Sequence, residues 1–581
     1  MARANYLAPG VYVEEVASAR QTIAGVRTNT VGFIGIVPSK IWIPVPNPKY
    51  DPVKAAARLQ EDAAKGPVKQ PVPDLETKKR EIDGLIATAQ DAFNKAKSER
   101  EGLPATDTEK IGAADKRIRE ADKALGELKS ARAKLDVAPP PAPAVATDVD
   151  FEDELAAYDD RDPPVLLQKP ANELPAKEWD DWLSARATSP YYFKRFQVDA
   201  DEFATKLCTN FTEYTARFGE YSGFGYRDVT KSGAKIGTKF HPLHPGHHLL
   251  THAVAGFFRN GGTRCFVARL ESMDDAKLKK VLERFESIDD VAIIAAPGLP
   301  KAKAVWEQLE LHCESPNIQN VFAILDSPAV VGSGELEIEE LKYSDDPKTK
   351  SVLPRPSTHA AFYFPHVEVV DPAKQLQEQD PALGVEAKYR GLTHVAPSGH
   401  VAGIYARVDE ERGVHKAPAN AVVRGALEVK YYISKPKQEM LNPQGVNCIR
   451  IMNGSVVVWG ARTIGGDRNG EWKYVSVRRL AGYLEESIDE GTQWVVFEPN
   501  DPSLWSKIRL NVSEFLTNVW RNGALFGNTP EEAFYVKCDE ELNPPAVRDL
   551  GQVITEIGVA IVRPAEFVIF RISQIAGGQR T

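Results

Sequence analysis

Two short stretches hold the residue types that do chemistry. The first is HPLHPGHHLLTH at 241–252, with five histidines in twelve residues. His248 and His252 are an i, i+4 pair, a spacing that puts two imidazoles on one helical face within reach of one zinc ion. No glutamate completes an HExxH pattern and no cysteine lies nearby. The competing reading is a helix start whose rings cap and pack, and known zinc spacings favour it. No metal and no cofactor is therefore expected, with His248 and His252 the only candidates for an exception. The second stretch is Ser398-Gly399-His400. A hydrolytic triad needs Ser, His and an acid in mutual reach, with an oxyanion hole. Here Ser and His are only two residues apart, and no Gly-x-Ser-x-Gly elbow exists, so the chain is not expected to be an enzyme. The Gly-rich GGDRNG at 465–470 lacks the Lys-Ser/Thr of a phosphate loop and reads as a turn.

Composition narrows the setting. The 581 residues are too many for one core, so several domains are expected. At 43% hydrophobic and 26% charged the chain is globular on average. No run of 18 apolar residues occurs, so no transmembrane helix and no direct membrane insertion are expected. The start, MARANYLAPGVYVEEV, has no signal-peptide core. Five scattered cysteines without a C-x-x-C pair read as reduced core thiols of a cytosolic protein. A net charge of −9 argues against nucleic acid as a partner. Twelve acids against four bases in 145–190 account for nearly all of it.

The elements that must position these residues follow in chain order. Residues 25–37 read as a buried strand. After the prolines of 41–53, residues 75–135 read as an antiparallel helical hairpin broken at Gly102–Pro104. Its second helix has an a/d-type seam at Ile111, Ile118, Ala121, Leu125, Leu128, Arg132 and Leu135. A stiff linker, PPPAPA, leads into the acidic stretch. From residue 203 helices and strands alternate. Helices are expected at 211–218, 246–259, 274–287, 301–313 and 397–411, and strands at 264–270, 291–296, 321–325 and 361–370. This is the pattern of a parallel sheet with crossover helices. The last third reads as a separate α+β unit. Its strands are expected at 446–451, 455–459, 472–476 and 494–497, and its helices at 477–489 and 503–521. On the last helix Leu504, Ile508, Val512, Phe515, Leu516 and Val519 form one stripe, while Lys507, Arg509 and Arg521 lie off it.

Both ends are strand-like. Residues 553–562 and 566–572 are rich in Val, Ile and Phe and are separated by Pro564, and PGVYVEEV at 9–16 is a short extended segment. An apolar terminal strand is a hazard unless something pairs with it. Spacing leaves two readings open: edge strands of the chain's own sheet, or arms that complete a neighbour's sheet.

Several stretches together resemble the sheath subunits of contractile phage tails and related injection systems. They are APGVYVEEV (8–16), NTVGFIGIV (29–37), FTEYTARFG (211–219), DDVAIIAAPG (289–298) and PSGHVAGIYARVDEERGVHKAPAN (397–420). LNPQGVNCIRIMNGSVVVWGARTI (441–464), KYVSVRRLAGYLEESIDEGTQWVVFEPND (473–501), FLTNVWRNGALFG (515–527), EAFYVKCD (532–539) and IGVAIVRPAEFVIFRISQ (557–574) follow in the family's order. The resemblance implies a multidomain α/β and α+β fold. Its parts would be an N-terminal arm (1–24), a joining strand (25–37), an insertion (38–203), a subtilisin-like parallel-sheet middle domain (204–430), a tube-facing α+β domain (431–563) and a C-terminal arm (564–581). It implies subunits stacked as hexameric rings around an inner tube, with baseplate and terminal cap proteins as further partners. The assembly would form in the bacterial cytoplasm and become part of a virion-like particle. Strand exchange would use Val11, Tyr12, Val13, Glu14, Glu15 and Val16 at one end. At the other it would use Phe567, Val568, Ile569, Phe570, Arg571 and Ile572. Lys507, Arg509 and Arg521 are the candidate tube contacts, with ordinary solvated charge as the competing reading. The alternatives are a hydrolase of subtilisin-like topology and a non-contractile surface-layer protein.

Overall fold

The computed structural model describes residues 23–64, 87–95, 97–99, 115–119, 121–122 and 176–570, the last apart from 232–233, 300–301, 317, 319, 330–340 and 345–351. The chain forms two compact units, residues 53–150 and the remainder. Of the expected hairpin at 75–135, the stretches 87–95, 97–99, 115–119 and 121–122 are helical; its turn and most of its seam lie outside the described residues.

The larger unit is built on a nine-stranded mixed sheet. Its strands are β1 (Val31–Ile36), β2 (Thr205–Cys208), β3 (Cys265–Leu270), β4 (Ile293–Ala295), β5 (Phe322–Asp326), β6 (Ala360–Phe364), β7 (Ala421–Val422), β8 (Val446–Met452) and β9 (Ser455–Val458). They lie in the order β7-β9-β8-β6-β5-β4-β1-β3-β2. The six central strands, β8 to β3 in that order, run parallel, and the flanking pairs are antiparallel. Period-two alternation along the parallel strands explains why they read as continuous apolar runs, since both faces are buried. Phe33, Ile293, Ile324 and Tyr363 face one core, and Ile34, Ile294, Leu325 and Phe362 face the other. Helices α1 (Pro245–Arg259) and α4 (Ser398–Arg412) cover the first face, and α2 (Asp275–Phe285) and α3 (Ala302–Cys313) the second.

Helices α1 and α4 cross closely because glycine lines their contact. A Cβ at Gly399 would sit 2.2 Å from the Ala253 carbonyl oxygen, and one at Gly403 would sit 2.4 Å from that of Phe257. Both clashes are with backbone, which cannot swing aside.

A second core lies in the last third. Leu480 and Leu484 of α5 (Val475–Thr492) pack on Leu504, Ile508, Val512, Phe515, Leu516 and Val519 of α6 (Pro502–Arg521). The whole expected stripe of α6 is buried. Asp501 caps its start, accepting from the Leu504 amide at 2.8 Å, and Pro502 occupies the first turn.

The structure differs from the sequence reading in four places. First, β8 and β9, read as part of a separate C-terminal unit, belong to the central sheet, so a boundary at 430 would cut that sheet. Second, no strand forms at 472–476 or 494–497. Gly466–Trp472 and Gln493–Val495 are 3-10 turns, and α5 already begins at Val475. At 472–476 the pairing stops at a single bridge between Tyr474 and Arg462 before α5 begins, and β propensity is realised only in a longer ladder. Third, the expected strand 361–370 divides at Pro365, which has no amide to donate. Its second half, Val367–Val370, leaves the sheet to pair with Leu392–Val395 and Glu428–Val429. Fourth, the strand expected over 553–562 forms only at Glu556–Val559, paired with Phe534–Lys537, and beyond it pairing is reduced to a single bridge between Ile561 and Leu525.

The strand Lys40–Pro46, inside the stretch read as an insertion, pairs antiparallel with Tyr191–Gln197. Ile41 packs into the first core of the sheet.

Candidate functional site

The last described residues leave an apolar run exposed. Val562 donates to the Ala524 carbonyl at 3.2 Å, holding the chain to the C-terminal core. Beyond Pro564 the Glu566 carboxylate is gripped from three sides. Arg462 binds it through Nε to Oε1 at 2.9 Å and Nη2 to Oε2 at 2.8 Å. Asn442 donates to Oε1 at 2.8 Å, and the Tyr474 hydroxyl to Oε2 at 2.9 Å. Burial pushes this carboxyl up, but the bonds from Arg462 and Asn442 outweigh it and hold it below the usual glutamate range. Directly after it, Phe567, Val568, Ile569 and Phe570 are 71%, 70%, 79% and 85% exposed. They form no strand with any described residue. Arg571 and Ile572 lie outside the described residues, as do Val11, Tyr12, Val13, Glu14, Glu15 and Val16.

The other end of the chain approaches the same unit. Ile23 packs against the second core, and the Val26 amide donates to Ser487 Oγ at 3.1 Å. There the chain meets a buried ion pair invisible in the sequence. Arg479 binds both oxygens of Asp409 at 3.0 and 2.7 Å, and each side chain is 4% exposed. The Thr28 hydroxyl donates to Asp409 at 2.7 Å, and Arg479 donates to the Thr28 carbonyl at 2.8 Å. Arg479 also lies 4.7 Å over the Tyr405 ring, whose hydroxyl meets that of Tyr363 at 2.7 Å. This cluster joins the N-terminal segment, α4 and α5. Its only sequence signal was an arginine at a position of α5 that faces inward.

The histidine stretch forms the start of α1. His248 and His252 converge on Asp371, a third donor that sequence reasoning missed because it is 119 residues away from His252. His252 Nε2 lies 2.7 Å from Asp371 Oδ2 and His248 Nδ1 lies 3.3 Å from it. Asp371 Oδ1 caps a helix by accepting from the Lys374 amide at 2.8 Å. All three side chains are buried. Burial drives the His252 pKa down and the bond to Asp371 offsets this only in part, so the ring is neutral and Nε2–H donates. Ligand atoms around tetrahedral zinc stand roughly 3.3 Å apart, given Zn–N near 2.0–2.1 Å. The 2.7 Å contact is instead a hydrogen bond. His247 donates to the Phe218 carbonyl at 2.9 Å. These rings pack and hydrogen-bond.

The residues of the hydrolase alternative do not assemble. Ser398 is 0% exposed and its polar neighbour is the Asp326 carboxyl, not a histidine, so the serine–histidine contact of a hydrolase is not formed. Its amide donates to Asp326 Oδ1 at 2.7 Å, and His400 packs against Gly256 on α1. The 465–470 stretch is a turn, with Gly465, Gly466 and Gly470 at φ values of 106°, 53° and 56°.

Of the candidate tube contacts, Lys507 and Arg521 are exposed on α6. Arg509 is half-buried and donates to the Cys538 carbonyl and to Ser506 Oγ. Sequence reasoning missed the apolar tip at Val496 and Phe497, the latter fully exposed with φ of 68°.

A large mixed α/β unit with exposed apolar residues gathered at its chain end is the class of protein that works by association, because such surface marks contact sites. Comparison with known proteins specifies the class. Residues 274–464 match the phage tail sheath protein central domain and residues 467–575 the phage tail sheath C-terminal domain, together more than half of the chain. The chain belongs to the contractile tail sheath family. It is 25% identical over 188 residues to the tail sheath protein of Vibrio phage KVP40, spanning 32% of this chain and 26% of that one. It is 25% identical over 211 residues to a putative prophage major tail sheath protein of Pseudomonas aeruginosa strain UCBPP-PA14, spanning 34% of this chain and 51% of that one. The chain thus spans about a quarter and about half of the length of these curated relatives. The PVC sheath complex of an extracellular contractile injection system, in its contracted state, is similar at a TM-score of 0.50 and 26% identity, over 65% of this chain and 88% of that one.

Proposed function

We propose that this chain is the structural subunit of a contractile sheath. Subunits polymerise as stacked hexameric rings around an inner tube, and contraction drives the tube through a target envelope. The observation that carries this reading is the apolar run Phe567–Phe570, exposed and in no strand with any described residue, in a chain whose two sheath domains match in order. Such a run is suited to adding a strand to a neighbouring copy, with backbone hydrogen bonds supplying affinity. Each bond contributes only about 1 kcal/mol net, but several per joint over many subunits make a mesh that survives sliding of other interfaces. The N-terminal segment through Val11–Val16 serves as the second arm, and the parallel sheet flanked by helices is the middle domain of subtilisin-like topology. Lys507 and Arg521 on α6 offer positive groups to an acidic tube surface, with Arg509 partly tied back. Baseplate and cap proteins bound the polymer, which is built in the bacterial cytoplasm and works as part of a phage tail or injection particle.

The test is negative-stain microscopy of the purified protein, alone and with its tube protein. Long hollow cylinders are expected from the full chain and none after deletion of Met1–Ala19. A full chain that stays monomeric under all assembly conditions would overturn the reading. Charge reversal at Lys507 and Arg521 is expected to block co-assembly with the tube, and normal co-assembly would remove them from the contact.

A further inference from the structure

The two fastenings of the C-terminal segment lie on different cores. Up to Val562 the chain is held by the C-terminal core, through the Ala524 carbonyl and a bridge between Ile561 and Leu525. Glu566 is held mainly by the central sheet. Asn442 opens the 3-10 turn that leads into β8, and Arg462 follows β9. Arg462 is itself fixed. Its amide donates to Asn447 Oδ1 at 2.7 Å, and its carbonyl accepts from Asn447 Nδ2 at 2.7 Å. Asn447 is a fully buried residue of β8. The Arg462 guanidinium also binds the Asn442 carbonyl at 3.0 Å and Asp467 at 3.1 Å, and its side chain is 4% exposed. A planar, bidentate guanidinium–carboxylate pair fixes direction as well as distance.

We propose that Glu566 is the anchor of the C-terminal arm: its carboxylate, held by Arg462, Asn442 and Tyr474, fastens the root of the exposed Phe567–Phe570 segment to the central sheet. The partner that takes the segment is a second copy of this chain, and that identity rests on the sheath reading above. A pull on the arm then reaches the six parallel strands through Arg462 and Asn447, instead of peeling Glu556–Val559 from its single antiparallel partner. The anchor also fixes where the arm leaves, so the segment is presented already positioned, which lowers the entropic cost of capture.

The experiment measures spin-label distances in the full-length subunit. All five native cysteines are buried, which leaves introduced surface cysteines free for labelling. Nitroxides at Val568→Cys and Tyr432→Cys, 70% and 68% exposed in the native chain, report arm against body. The parent is expected to give a narrow distance distribution. Glu566→Ala is expected to broaden it about twofold, and Tyr474→Phe, which removes one of the four bonds, by less. A control pair at Leu427→Cys and Tyr432→Cys stays narrow in every variant if the body is folded. An unchanged distribution in Glu566→Ala, or a parent as broad as the variant, overturns the anchor. In assembly, Glu566→Ala is expected to raise the critical concentration about tenfold, a change of roughly 1.4 kcal/mol. An unchanged critical concentration beside broadened distances overturns the anchor's part in assembly. If the parent forms no cylinders, the sheath reading fails and the distances alone decide the anchor.

Discussion

The Arg479–Asp409 pair makes two charges tolerable where neither side chain meets water. Burial lowers the Arg479 pKa and the Asp409 charge raises it by more, so the guanidinium stays protonated. Removing one partner leaves the other charge buried and unpaired, a loss of about 3–5 kcal/mol. Arg479→Met is therefore expected to lower the thermal midpoint strongly. Arg479→Met with Asp409→Leu is expected to recover much of it, because no orphan charge remains. Equal losses in the single and double variants would show that packing, and not charge pairing, holds the joint. The histidines give a second prediction. Burial drives His247 and His400 to about 3, well below their ordinary value of 6.5. In the window from about 6.5 down to about 3 the unfolded chain binds protons that the folded chain refuses, so stability rises with pH there and falls on acidification. Thermal midpoints from pH 7 to pH 4 are expected to decline steadily. His247→Gln, which keeps a donor for the Phe218 carbonyl, is expected to flatten part of that slope.

At the scale of elements, the helix pair α1–α4 shows how much depends on residues that contribute no side chain. Gly399→Ala places a methyl group against the Ala253 carbonyl, so the helices must separate. Overpacking of this kind costs about 1–3 kcal/mol. The expected result is a lowered midpoint with cylinders still formed at low temperature, measured by calorimetry and microscopy together. Helix α6 was legible in the sequence, because its apolar stripe, its Asp501 cap and its terminal Gly523 all agree. The strands of 472–476 and 494–497 were misread because local apolar character cannot say how far a partner runs alongside: Tyr474 meets Arg462 in one bridge and no more. Residues 475–492 instead satisfy a helix that buries Leu480 and Leu484 against α6.

For the whole molecule, the decisive prediction concerns the chain end. Truncation after Arg563 removes Glu566 and the exposed apolar run but leaves Val562 on the C-terminal core. A soluble, folded subunit that forms no cylinders is expected, and circular dichroism with microscopy checks both halves. Aggregation of the truncated chain would mean that residues 564–570 complete the subunit's own fold.

The sequence by itself determined the alternation of strands and helices, the apolar stripe of α6 and the family, because these lie in local periodicity and in ordered motifs. It also marked 566–572 as a strand-former looking for a partner. Only the tertiary structure decided that β8 and β9 extend the central sheet, and that Asp371 meets His248 and His252. Only it decided that Arg479 meets Asp409 and that Glu566 is bound by Arg462, Asn442 and Tyr474. Each of these joins side chains far apart in the chain, and hydrogen bonds and ion pairs of that kind are set by three-dimensional proximity, which no local pattern encodes.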